Sequence, residues 1–320
     1  MSKLFYVSII IVSFIVYKAE CSNGDRSQYY RECLINCYSK NCTEGMNFKE
    51  IPSAELRLLL WSCDDDCRYN CMWRTVDYFT SQGFRVPQFH GKWPFTRIIG
   101  LQEPASVFFS LLNLYAHFTM YKRFRHQVRS SNPMYLAWTY FSVVCMNGWT
   151  WSTIFHARDK PFTEVMDYSC AFAMVLTSLY CMLLRYKAFA VITAGYITTL
   201  YVHLTHLWSG NINYGYNMKF NIAVGFLTFL VTMVWWYRSR RRLGHAALIG
   251  WFNLSTVLVT LLEVADFPPI LWVFDAHSLW HASTAPLTLL LYRFMIQDSK
   301  YLRRSYEKSL LDHHVVMDNL

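Results

Sequence analysis

Five side chains in this sequence share a pattern suited to metal-assisted hydrolysis. Ser152 and His156 lie one helical turn apart in Trp151-Ser152-Thr153-Ile154-Phe155-His156-Ala157-Arg158-Asp159, and Asp167 follows in Met166-Asp167-Tyr168. His277 and His281 repeat that spacing in Asp275-Ala276-His277-Ser278-Leu279-Trp280-His281. Residues at i and i+4 share one face of a helix. Two such histidines, joined by a third from another helix, can hold zinc tetrahedrally with the fourth position open to water. Zinc brings the pKa of that water down to about 7. Asp167 would orient the water and shuttle its proton, and Ser152 would donate to the oxyanion of a tetrahedral intermediate. Spacing alone leaves plainer readings open. A membrane histidine can simply bridge helices, and Ser152 can bond its own helix backbone. His203 and His206, beside Trp208, form a rival pair that reads as interfacial, and Asp159 and Asp275 read as loop or supporting residues.

These side chains must be carried by elements built for a bilayer. The 320 residues are 54% hydrophobic and 16% charged, against roughly 25% charged in soluble proteins. Charges crowd the first hundred residues and a few short loops, while long apolar runs fill the rest. A spanning helix needs roughly 20 mostly apolar residues, and seven segments qualify, near 104–121, 134–155, 166–184, 188–208, 218–237, 246–264 and 269–293. The expected fold is all-α: a seven-transmembrane-helix bundle over 99–294, preceded by a small disulfide-rich lumenal domain over 22–98 and followed by a cytosolic tail over 295–320.

Basic residues orient the bundle. Lys122, Arg123, Arg125 and Arg129 follow the first segment, Arg185 and Lys187 the third, Arg238, Arg240, Arg241 and Arg242 the fifth, and Lys300, Arg303, Arg304 and Lys308 the seventh. In the alternate loops Arg158 and Lys160 are balanced by Asp159 and Glu164, and Glu263 and Asp266 stand unopposed. The positive-inside rule then puts the basic loops in the cytosol and the Ser, Asp and His residues on the lumenal side. The same placement explains the net charge of +9 as topology and argues against a nucleic-acid partner.

Lys3 and the apolar run Leu4 to Val16 read as a secretory signal peptide over residues 1–21, with small Ala19 and Cys21 preceding the cut. Cleavage there leaves Cys33, Cys37, Cys42, Cys63, Cys67 and Cys71 in the ectodomain. An even set in an oxidising lumen predicts a disulfide framework of open connectivity. Asn41-Cys42-Thr43 adds a glycosylation sequon.

The strings around the five residues, together with Asp266-Phe267-Pro268-Pro269, Cys67-Arg68-Tyr69-Asn70-Cys71-Met72-Trp73, Asp64-Asp65-Asp66 and Val86-Pro87-Gln88-Phe89-His90-Gly91-Lys92-Trp93-Pro94-Phe95, closely resemble the Per1-like family. The resemblance runs from about Tyr30 to the seventh segment. It extends to a wider seven-helix hydrolase group with alkaline ceramidases and progestin and adiponectin receptors, which shares a Ser, an Asp and three His. It implies zinc on His156, His277 and His281, with Asp167 and Ser152 completing the site. The implied activity is remodelling of GPI-anchored proteins in the Golgi or endoplasmic reticulum membrane. There the unsaturated sn-2 acyl ester of the anchor is hydrolysed to a lyso form. A ceramidase-like amidase, or a non-catalytic receptor or escort for GPI-anchored proteins, are the alternatives the same resemblance leaves.

Overall fold

A computed structural model describes residues 22–186, 188–210 and 213–317. The expected signal peptide, with Cys21, and the loop residue Lys187 lie outside the described residues. The described chain forms two compact units, one of the residues up to Pro104 with Glu263–Ala276, the other of Ala105–Leu262 with the residues from His277 onward.

In the first unit, α1 (Asn23–Arg26) leads into α2 (Gln28–Asn41), and the short α3 (Ala54–Leu58) precedes α4 (Cys63–Ser81). Each longer helix starts on a serine cap. Ser27 Oγ accepts from the Tyr30 N–H at 3.2 Å. Ser62 Oγ accepts from the Asp65 N–H at 3.2 Å while the Asp65 carboxylate accepts from the Ser62 N–H at 3.0 Å, a reciprocal capping box. Asp64, Asp65 and Asp66 fill the first turn of α4, where the helix dipole favours negative charge.

The cysteines at i and i+4 on α2 and α4 form facing pairs. Cys33 bonds Cys71, Cys37 bonds Cys67, and Cys42 bonds Cys63, each with a Cα–Cα distance of 5.7 Å. The pairing is nested, as antiparallel helices require. Arg97 is held beside this hairpin between the rings of Trp61 and Tyr69, at 3.8 and 3.7 Å, and its Nη1 donates to Asp66 at 2.7 Å. Burial lowers its pKa, and the bond to Asp66 opposes that shift.

The later segment of this unit departs from the expected seventh span. That span was to begin near residue 269, but the helix begins at Ala276. Pro268 and Pro269 remove two N–H donors and bias the residues before them away from helical angles. Instead Ile270 and Phe274 pair as a small bridge, and Leu271 and Trp272 turn the chain at φ of 55° and 59°. The Trp272 carbonyl accepts from the Thr96 N–H at 2.9 Å, and the Asp266 carboxylate accepts from Trp93 Nε1 at 2.5 Å.

The second unit consists, among its described residues, of helices joined by turns and short irregular connections. Its elements are α5 (Pro104–Gln127), α6 (Tyr135–Ala157), α7 (Pro161–Leu183), α8 (Phe189–Leu207), α9 (Tyr214–Ser239), α10 (Ala246–Val264) and α11 (Ala276–Met317). Three of them, α7, α9 and α10, are long and apolar enough to cross a membrane by length and composition. α7, expected from near residue 166, begins at Pro161, because proline suits the first helical position. α11 runs on for 42 residues, through those expected to form a separate tail.

The three-residue connection Arg158–Lys160 makes α6 and α7 antiparallel neighbours. Phe124, Trp138, Phe141, Cys181, Ile249, Tyr292, Phe294 and Met295 interlock α5, α6, α7, α10 and α11 in one buried core. Two glycines permit close helix approach. A Cβ on Gly148 would meet Met174 Sδ at 2.1 Å, and one on Gly250 would meet the Trp236 ring at 2.6 Å.

Candidate metal centre

α6 and α11 supply the core of the site. Ser152 and His156 occupy the last two turns of α6, both buried, and His277 and His281 occupy the first two turns of α11. His277 Nε2 lies 3.3 Å from His156 Nε2 and 2.9 Å from His281 Nε2. All three ligand atoms lie within 4.8 Å of one another. Three imidazole nitrogens of the same kind, turned toward a common point, fit the donor set of a catalytic zinc.

Sulfurs of Cys42, Cys63 and Cys67 also cluster within 4.8 Å. They are disulfide sulfurs and have no thiolate to offer a metal.

The surroundings hold the rings in place. Trp149 and Trp280 flank His281 edge-on, with centroids 5.2 and 5.1 Å away. Phe155 packs on His156 at 5.1 Å. Asp167 stands half-buried on α7, the helix whose Cys170 Sγ accepts from Asn147 of α6 at 3.1 Å. Arg158 is buried at the end of α6 and donates to the Asp159 carbonyl at 3.3 Å.

His203 and His206 do not join the group. His203 is fully buried, with Phe172 and Phe220 at 3.9 and 4.8 Å and Nε2 3.2 Å from Asn217 Oδ1. It packs α8 against α7 and α9.

Reading the sequence for histidines and carboxylates missed α5. Ser110 Oγ lies 2.9 Å from His281 Nδ1 and 3.1 Å from Ser152 Oγ, and Asn113 Nδ2 donates to the His281 carbonyl at 2.7 Å. The signal was present as a 4-3-4 spacing of polar residues, Ser106, Ser110, Asn113 and His117, in an apolar helix, and all four are buried.

The sequence model of the Per1-like family matches residues 53–299, which takes in the whole histidine group. The chain belongs to the Per1-like family. It is 41% identical over 297 residues to "Post-GPI attachment to proteins factor 3" of Drosophila melanogaster, covering 89% of this chain and 91% of the relative. It is 40% identical over 317 residues to "GPI-specific phospholipase A2-like PGAP3" of Homo sapiens, covering 95% of this chain and 98% of that one. The protein of the same name from Xenopus laevis is 42% identical over 305 residues, or 91% and 95% of the two chains. No solved structure matches significantly.

Proposed function

We propose that this Per1-like protein is a multi-pass membrane esterase that removes the unsaturated sn-2 acyl chain from the lipid of GPI-anchored proteins, leaving a lyso-GPI. The observation that carries the reading is the convergence of His156, His277 and His281 in a chain similar to GPI-specific phospholipase A2-like proteins over nearly its whole length. His156, His277 and His281 would hold zinc. Once bound, zinc would supply a water activated at neutral pH and a Lewis acid for the ester carbonyl.

The chain's own groups do the remaining work. Ser152 donates a hydrogen bond to the carbonyl oxygen as negative charge gathers there. Asp167 accepts the proton of the attacking water and passes it to the departing glycerol oxygen. Trp149 and Trp280 pack on the His281 ring, which is almost wholly buried, so contacts to that ring act in a low-dielectric setting.

The bundle has seven spans in this reading, with the site at the lumenal face of an endoplasmic reticulum or Golgi membrane. A buried ionic cluster supports the geometry: Asp298 of α11 pairs with Arg185 and with His245 Nε2, the latter at 3.2 Å. Asp298 lies 17 residues beyond His281 on one helix, or about 25 Å at 1.5 Å per residue. That separation approaches the thickness of a hydrocarbon core. The disulfide-bonded unit accords with a lumenal setting.

The test is the lipid composition of GPI anchors in cells lacking the protein, complemented with wild type or His277→Ala. Wild type is expected to restore loss of the unsaturated chain, and His277→Ala is not. Rescue by both would sink the metal site. Rescue by neither would sink the substrate, and ceramides would be the next lipids to assay.

A further inference from the structure

Beside the histidine group lies a hydroxyl that touches His281 and Ser152 at once. Ser110 on α5 is fully buried, with Oγ 2.9 Å from His281 Nδ1 and 3.1 Å from Ser152 Oγ. A hydroxyl has one proton to give and lone pairs to receive. His281 turns its Nε2 toward the other two rings, so the lone pair needed by a metal belongs on Nε2 and the proton belongs on Nδ1. Nδ1–H then donates to Ser110 Oγ, and Ser110 O–H donates to Ser152 Oγ. The Ser152 proton is left free to point away from Ser110.

We infer that Ser110 is a positioning residue for the esterase: it fixes the tautomer and ring orientation of His281 and, by donating to Ser152, turns the Ser152 proton toward the reacting carbonyl. The inference rests on the proposed metal site and deepens it.

The neighbourhood is built to hold Ser110 and His281 in register. Asn113, one turn further along α5, donates to the His281 carbonyl at 2.7 Å and to the Phe109 carbonyl at 2.9 Å. Thr284 Oγ1 lies 2.8 Å from the His281 carbonyl and 3.2 Å from Asn113 Oδ1, the two acceptors within reach of its one proton. α5 and α11 are thus pinned across one turn, at the level where Ser110 meets the ring. Partners of this kind orient a ligating histidine and raise its basicity, and losing one typically weakens metal affinity roughly 10–100-fold.

The experiment uses the full chain in detergent, loaded with zinc and titrated with a chelator. Ser110→Ala should release zinc at a chelator activity roughly 10–100-fold lower than wild type, and Ser110→Thr, which keeps the hydroxyl, should release it near the wild-type point. Ser142→Ala is the control. That serine is equally buried and donates to the Trp138 carbonyl of its own helix; its further side-chain contact is with Tyr292, not with the three histidines, and its removal should leave zinc release unchanged.

In complemented cells Ser110→Ala should also lower anchor remodelling, while Ser142→Ala should not. Wild-type zinc retention by Ser110→Ala overturns the inference and leaves the metal site standing. So does loss of zinc by Ser110→Thr as great as by Ser110→Ala. Equal retention by wild type and His281→Ala, or no zinc in wild type, removes the metal site itself and the inference with it.

Discussion

Cys33/Cys37 and Cys67/Cys71 in the first unit, and His277/His281 in the second, use one device for two ends. Four residues bring two side chains to one helix face in each case. In the first unit the facing helix carries the same pair, and the result is covalent: two disulfides across the α2–α4 seam and a third at its end. In the second, the facing helix brings one histidine, His156, beside Ser152, and the result is a set of converging donors. Spacing creates a face; the residue opposite decides what the face does.

The units also keep their order by different means. The first has few buried apolar side chains and relies on staples, caps and the stacked Arg97. The second relies on interlocked side chains and buried hydrogen bonds, and its free cysteines among the described residues, Cys145, Cys170 and Cys181, are buried packing groups.

That contrast can be broken experimentally, starting with the largest effect. Removing the Cys33–Cys71 bridge by the double change to alanine should cost about 3 kcal/mol. Limited proteolysis within α2 and α4 should report it as accelerated cleavage. Cleavage at the wild-type rate would mean that the staples are dispensable.

In the second unit, Gly250→Ala forces a methyl group against the rigid Trp236 ring and should cost about 2 kcal/mol, read as a lower temperature for loss of monodisperse protein. Gly148→Ala meets the more yielding Met174 and should cost less; the reverse order would contradict the packing account.

Arg97→Lys keeps the charge but loses the planar stack between Trp61 and Tyr69, and about 1–2 kcal/mol with it. Chemical denaturation followed by the fluorescence of Trp61 should report the loss.

The smallest effect is expected for Cys181→Ala, about 1 kcal/mol. Its thiol is fully buried but unbridged and donates only to the Ala137 carbonyl at 3.4 Å. A loss as large as that of the Cys33–Cys71 bridge would erase the distinction between the two roles of cysteine.

Much of the architecture was legible because the signals are local. Apolar runs of about 20 residues announced the long helices. The i, i+4 histidines announced a shared face. The break before α11 was also written in Pro268 and Pro269, but the apolar run through Ile270, Leu271 and Trp272 masked it. Apolar character alone does not distinguish a span from a turn packed inside the first unit.

Ser110 escaped notice for a different reason. Serine is common in membrane helices, and the 4-3-4 polar stripe on α5 gains meaning only when His281 stands opposite. The buried place of His203 likewise depends on Phe172 and Phe220, which come from two other helices.

The sequence by itself determined the all-helical membrane character, the cysteine set and the family, and it singled out five candidate site residues, since each is carried by composition, spacing or contiguous strings. Only the tertiary structure decided which cysteine bonds which and that three histidine nitrogens from two helices meet. It alone revealed that α5 supplies the hydroxyl between His281 and Ser152. The physical reason is range. Propensity and periodicity act over a turn or two of chain, whereas a disulfide partner 38 residues away or a hydrogen-bond partner 171 residues away is chosen by how helices pack.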